Sequence, residues 1–279
     1  MRALFLLSIA MFLTGFSFTQ SAQLPLPDVP TLMKQVEEHQ HKLDKIRENY
    51  TYHETVITHE LDKKGNIKKD ESEEHYVFFV NGHEIERKVK KNGKDLSEDD
   101  QKKEQERVEK EVEKASKTPP GQSMDKDEVS VSRLLEIMRV SNPRREQMDG
   151  RSMIAFDFTG DPRAKTHGMA ENASKKLSGT ICVDESDRQV RRMIARFDGN
   201  FHLGFGLLSV GKGSTFTFDQ KLVNNELWLP TDAQIHIIAH AIGILGWRGD
   251  IAITDNDYKK FHADAEQQPG ATVTNSQSH

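Results

Sequence analysis

Apolar residues change period several times along the first half of the chain, and each change marks an element. Between Thr31 and Glu48, Leu32, Val36, His39, Leu43 and Ile46 recur at steps of three and four, which predicts an amphipathic helix. From Tyr50 to Leu61 the period falls towards two in a run rich in Tyr, Thr, Val and Ile. That pattern predicts a strand, ended by the turn residues Asp62-Lys63-Lys64-Gly65-Asn66. A returning run, His75 to Val80, meets Asn81-Gly82, and His83 to Lys91 meets Asn92-Gly93. Both dipeptides tolerate the positive φ of tight hairpins, so a three-stranded antiparallel meander is expected. Antiparallel sheets commonly bury one face, which accommodates the many Lys and Glu residues within these strands.

The pattern then turns almost wholly polar. Ser97 and the acids Glu98, Asp99 and Asp100 supply an N-cap and a first turn, Gln101 to Lys117 reads as a charged helix, and Pro119-Pro120-Gly121 stops it. Only Val108, Val112 and Ala115 give this helix an apolar line, so it is expected to be a mobile arm or lid, or a solvated surface helix. A second helix is predicted over Val129 to Val140 from Val131, Leu134, Leu135 and Met138, with Pro143 ending it. Beyond it the sequence reads as successive strands: Arg144 to Gln147, a turn at Asp149-Gly150, and Ser152 to Thr159 with Ile154, Phe156 and Phe158 on one face, closed by Asp161-Pro162. Leu177 to Asp184, Gln189 to Asp198, a Gly-interrupted run from Phe201 to Phe218, Leu227 to Pro230 and Asp232 to Ile244 continue the series. Residues 233–245 fit a helix equally well.

The chain has 279 residues with 39 basic and 44 acidic side chains, a formal charge of −5 that does not favour nucleic acid as a partner. Arg2 precedes an apolar run from Ala3 to Leu13, shorter than the roughly 20 residues that span a bilayer. Residues 1–22 are therefore read as a signal peptide cleaved near Ala22, the alternative being an uncleaved anchor; the mature chain is expected to lack a transmembrane span and to be periplasmic or secreted. The sole cysteine, Cys182, lies in an apolar strand-like run, where a buried small hydrophobe is expected rather than a disulfide or reactive thiol. Residues 23–265 are read as one β domain carrying the charged insertion 97–120, and 266–279 as a disordered tail.

The stretch Leu177-Ser178-Gly179-Thr180-Ile181-Cys182-Val183-Asp184, followed by Val190-Arg191-Arg192-Met193, resembles a strand, turn and strand signature of the outer-membrane lipoprotein-sorting family of periplasmic carriers. Leu227-Trp228-Leu229-Pro230 resembles a later strand of that family, and the likeness in element order runs over roughly residues 31–260. The resemblance implies an α+β fold: a strongly curved, half-open antiparallel sheet, an incomplete barrel, with the N-terminal helix and the helical insertion on its concave side. It also implies a non-catalytic carrier whose partner is a lipid, an acyl chain or an acylated protein. The aromatic residues Tyr52, Phe78, Phe156, Phe158, Phe216, Phe218 and Trp228 are the candidate lining of an apolar pocket. The rival reading is an envelope scaffold with a filled core that contacts a partner protein through the charged arm 97–117.

Motifs for catalysis, metal or cofactor fall short. His53-Glu54 and His59-Glu60 put the histidines six apart, about 20 Å along a strand, whereas a zinc-protease helix needs them four apart. His236 and His240 are four apart, neighbours on a helix but about 13 Å apart on a strand. Asp255-Asn256-Asp257 lacks the glycine and closing glutamate of a calcium loop. Arg248-Gly249-Asp250 is read as a turn, and Gly204, Gly206, Gly211 and Gly213 as strand glycines rather than a phosphate loop. No nucleophile elbow is present. A non-enzymatic protein without cofactor is expected, although scattered carboxylates leave a glycosidase-type pair open.

Overall fold

The computed structural model describes residues 25–120, 122, 124, 133, 136–203, 208–241 and 244–260; the segments read above as signal peptide, 1–22, and as tail, 266–279, lie outside these. Helix α1 spans Val29–Arg47. Asp28 caps it, its carboxylate accepting the Thr31 backbone N–H at 3.1 Å and its carbonyl that of Leu32. The first meander follows: β1 (Tyr50–Leu61), β2 (Ile67–Val80), β3 (His83–Lys91) and the short β4 (Lys94–Asp95). Asn81 and Gly82 have φ of 52° and 80°, and Asn92 and Gly93 of 51° and 69°, the twist that the two dipeptides predicted.

Helix α2 (Glu98–Lys117) is next, then a second meander of β5 (Met138–Met148), β6 (Arg151–Gly160), β7 (Leu177–Asp184) and β8 (Val190–Phe197), with a helix α3 (Gly168–Ser174) too short to show a periodicity. A small hairpin, β9 (Phe201–Leu203) and β10 (Leu208–Val210), precedes β11 (Thr215–Val223), β12 (Leu227–Ala241) and β13 (Ile244–Lys260). Neighbouring strands run β4-β3-β2-β1-β13-β12-β11-β8-β7-β6-β5, each pairing antiparallel. The last three strands thus join the two meanders, and the sheet stays open with β4 and β5 at its edges. Register shifts at Thr51/His53, Asp219/Gln220 and Ser141/Arg144 bend the strands, as bulges do.

One face of this curved sheet, the inner face, is covered by α1. Leu32, Met33 and Val36 pack on Ile154, Phe156, Ile181 and Val183 of the second meander, and Leu43, further along the helix, packs with Tyr50, Val223, Leu227 and Leu229. The open, curved antiparallel α+β fold is as expected, with one correction: α2 is on the opposite face from α1, not beside it on the concave side. Val108 and Ala115 are buried against Ile85 with Phe78 and Val80, the residues of β2 and β3 that alternate with the inward Val77 and Phe79. Polar ties hold it too. Glu104 accepts the Lys88 backbone N–H at 2.7 Å, and Asn81 donates to the Thr118 carbonyl at 2.6 Å. Among the described residues α2 is a docked helix rather than a free arm; its three small apolar side chains suffice because, with Phe78, Val80 and Met124, they cover Ile85 fully.

Other expectations change. Of the helix predicted over 129–140, residues 129–132, 134 and 135 lie outside the described set and Arg133 and Glu136 are helical as expected, but Met138 to Val140 begin β5, which runs through Pro143. The edge position and the Ser141/Arg144 bulge tolerate a residue without an N–H there. Residues 233–241 are strand, as are Arg248-Gly249-Asp250, so the latter form no turn. Gly211 and Gly213 lie in the turn between β10 and β11 rather than within strands, while 204–207 are not described. Cys182 is buried and unpaired, and burial pushes its thiol above the ordinary range.

Candidate functional site

Strand alternation decides what the inner face carries. In the register, Phe158 stands opposite Gly179, Gly179 opposite Ala195, Ala195 opposite Phe216, and Phe216 opposite Ile235. Two very small residues thus sit between large ones across five strands. A Cβ on Gly179 would lie 1.9 Å from the Ile194 carbonyl oxygen and 2.7 Å from the Phe158 ring, so the ring lies directly across the glycine. This arrangement leaves a cavity of about 260 Å³ bounded by Met138, Phe158, Leu177, Ile181, Met193, Ala195, Phe197, Val210, Phe216, Ile235 and Ile237. Its side chains are apolar apart from Ser214, Thr215 and His236. Water entering it would lack the two to four polar partners that hold water in protein interiors.

The aromatic residues read from the sequence divide. Phe158 and Phe216 border the cavity, and Phe218 stacks on Phe216 at 6.3 Å. Phe156 is fully buried beneath α1. Tyr52 is on the inner face but belongs to the other half, where its hydroxyl donates to Glu84 at 2.7 Å. Phe78 and Trp228 point to the outer face: Phe78 packs under α2, and the Trp228 indole N–H donates to Asp187 at 2.9 Å while the Arg151 guanidinium stacks on its ring. The turn between β7 and β8 is organised by Asp184, which accepts backbone N–H groups of Ser186 and Asp187 and the Arg151 side chain.

A second set of chemically capable residues occupies the inner face of β1, β2, β3 and β13. Glu54 faces His75 on one side and Asp255 on the other. All three are buried, and Glu54 Oε1 lies 2.7 Å from His75 Nδ1. Glu86, more open to solvent, places Oε2 at 3.7 Å from the same nitrogen. Burial opposes the charged form of His75, but the hydrogen bond and field of Glu54, with those of Glu86 and Glu73, outweigh it and raise its pKa. Burial, then the fields of Glu54 and Glu84, push Asp255 up to about 8. Burial also holds the Tyr52 phenol far above its ordinary range, so it acts as a donor. Among the described residues Glu54, His75 and Glu86 are the group whose ligand atoms lie within 4.8 Å of one another.

His53 and His59, the histidines that the sequence pattern singles out on β1, take no part in this cluster. Those residues alternate to the outer face, His53 beside Asp257 and His59 beside Asp70. His236 is held by Asp250 at 2.5 Å, on the same strand as His240 and not on a helix. The available signal was periodic: Glu54 extends the buried stripe Tyr50-Tyr52, and His75 precedes Val77 and Phe79 at the same alternation.

No family model and no curated protein matches the chain. Solved structures similar to it include a LolA superfamily protein from Nitrosomonas europaea (12% identity, 82% of this chain and 94% of that one, TM-score 0.33). A DUF1329 family protein from Desulfovibrio piger is similar at 10% identity over 84% of this chain and 94% of that one, TM-score 0.34. A domain from Vibrio parahaemolyticus, described as an outer membrane lipoprotein-sorting protein domain, is similar at 10% identity over 81% of this chain and 92% of that one, TM-score 0.35. The carrier-like family expected from the strand-turn-strand signature is thus among the neighbours. Among the described residues no helix is long and apolar enough to cross a membrane.

Proposed function

We propose that this chain is an exported, non-catalytic binding protein that takes an apolar chain, the acyl group of a lipid or of an acylated protein, into the inner-face cavity. The observation that carries the reading is the cavity itself: about 260 Å³ bounded by side chains of β6, β7, β8, β11 and β12, in a half of the sheet otherwise covered by α1. That volume sits near the low end of small-molecule pockets, roughly 300–1,000 Å³, and suits the end of one chain rather than a fused-ring ligand. Each methylene transferred from water contributes about 0.8 kcal/mol, so a few buried methylenes give a reversible complex. Release into the periplasm after removal of residues 1–22 fits such a role.

Displacement of a fluorescent fatty acid from the purified chain tests this, with native mass spectrometry of protein from its own host as a second readout. One apolar chain per protein is expected, and Ala195→Phe, which places a ring in the cavity, should weaken the probe at least tenfold while leaving the fold intact by circular dichroism. Equal binding by the variant, or a clean apo mass with no probe bound, would sink the reading.

A further inference from the structure

We propose that Glu54, His75 and Glu86 form a binding site for a divalent transition-metal ion, with Asp255 as the adjoining carboxylate, on the inner face away from the apolar cavity. Four neighbouring strands supply the donors. β3, β2, β1 and β13 are consecutive in the sheet, Glu54 is paired with His75 and with Asp255 in the register, and Glu86 is paired with Val77 beside His75. Side chains directly opposite on such strands have Cβ atoms about 5 Å apart, the spacing at which they can share one ion.

The three donor atoms need little movement. His75 Nδ1 lies 2.7 Å from Glu54 Oε1 and 3.7 Å from Glu86 Oε2. Bonds of about 2.0–2.2 Å in tetrahedral geometry place ligand atoms roughly 3.3 Å apart, between these two distances. The other ring nitrogen of His75 is 3.5 Å from Glu73 Oε2, and Lys88 holds the other oxygen of Glu73 at 2.7 Å. A carboxylate behind a ligating imidazole fixes its ring and raises its basicity, which is the usual second layer of a metal site.

The independent observation is Asp255. It is 6% exposed, and its Oδ1 accepts from no donor in the structure. A buried carboxylate oxygen without a partner costs several kcal/mol unless a cation or proton satisfies it. Arg47 acts on Glu84, Arg107 on Glu86 and Lys88 on Glu73, whereas the charges that act most on Asp255, those of Glu54, Glu84, Glu86 and Asp232, all raise the electrostatic cost of charging it. A divalent ion between Glu54, His75 and Glu86 removes that repulsion at its source. One imidazole with carboxylates favours zinc, manganese or nickel over calcium and magnesium, which take all-oxygen sets.

Zinc titration of the chelator-treated full chain, followed by calorimetry and thermal melting, tests the site. One tightly bound zinc per chain and a raised melting temperature are expected, with Glu54→Gln and His75→Ala each weakening binding at least about 100-fold. Because these two positions are buried, Glu86→Gln, at an open side chain, serves as the variant that keeps its fold, and at least tenfold weaker binding is expected. Cobalt(II) substituted for zinc should give visible absorption that all three variants lose. Zinc uptake unchanged in the variants, which would mark scattered surface histidines, or no retained ion and no shift in melting, would overturn the proposal. Fatty-acid displacement should be unaffected by Glu86→Gln, so failure here and failure of the cavity reading are distinguishable.

Discussion

The inner face of one sheet serves two opposite purposes. From β5 to β8 it is apolar, covered by the first half of α1 and hollow only where Gly179 and Ala195 sit among aromatic side chains. From β1 to β3 the same alternation carries Glu54, His75, Glu84 and Glu86 inward, with Asp255 of β13 beside them. The first half is stabilised by removing methylenes and rings from water; the second spends stability on buried charge. Stored cost at a defined spot is a common mark of function, and the two halves differ in what they would bind: an apolar chain in one, a cation in the other.

The largest effect expected on this comparison is in the apolar half. Gly179→Val would set a branched side chain 1.9 Å from the Ile194 carbonyl oxygen, a backbone atom that cannot rotate away. A loss on the order of 4 kcal/mol is expected, read as a lower urea midpoint with an unchanged slope. A variant as stable as the parent would mean that the layers around the cavity are loosely packed, and the contrast with the charged half would weaken.

How much of this contrast was readable beforehand depends on whether the signal was local. Asn81-Gly82, Asn92-Gly93 and the stripe of α1 are local chemistry, and the structure has the hairpins and helix they specify. The faces of Phe78 and Trp228 were not readable, because each lies in a continuous apolar run, Val77 to Val80 and Leu227 to Leu229, where alternation is hidden. Met138 fits a helical period because a bulged edge strand breaks period two, and Pro143 lies within that bulge. Glu54 and Asp255 are nearly a whole domain apart in sequence and meet only through the closing pair β1–β13. Long-range strand order of that kind follows from the whole sheet, not from any window of residues.

A smaller effect, of opposite sign, is expected in the charged half. Asp255→Asn replaces a buried acid whose carboxyl is pushed up to about 8, so that folding at neutral pH must take up a proton among like charges, with a neutral amide that takes up none and can donate towards Glu54. In chelator-treated protein at neutral pH it should stabilise by about 2 kcal/mol, raising the melting temperature. A drop instead would show that Asp255 already has a favourable partner, and the idea that this half stores electrostatic cost would fail.

The smallest effect sets a satisfied carboxylate against that unsatisfied one. Glu185, at the rim of the apolar half, accepts from Arg145 Nε at 2.9 Å and from Ser152 Oγ at 2.7 Å. The Arg145 hydrogen bonds, opposed by burial and helped by Ser152, hold its carboxyl down at about 2. The folded value lies below the unfolded one of about 4.3, so this group's stabilising contribution is complete above roughly pH 4.3 and disappears as pH falls through about 2. Glu185→Gln should therefore cost about 1 kcal/mol at pH 7, a reduced figure because the pair is partly open to solvent, and nothing near pH 2. Urea midpoints for both proteins across that range measure it. A penalty that persists at pH 2 would assign the role of Glu185 to shape rather than charge, and would leave Asp255→Asn without its counterpart, since only two carboxylates displaced in opposite directions make the amide substitutions opposite in sign.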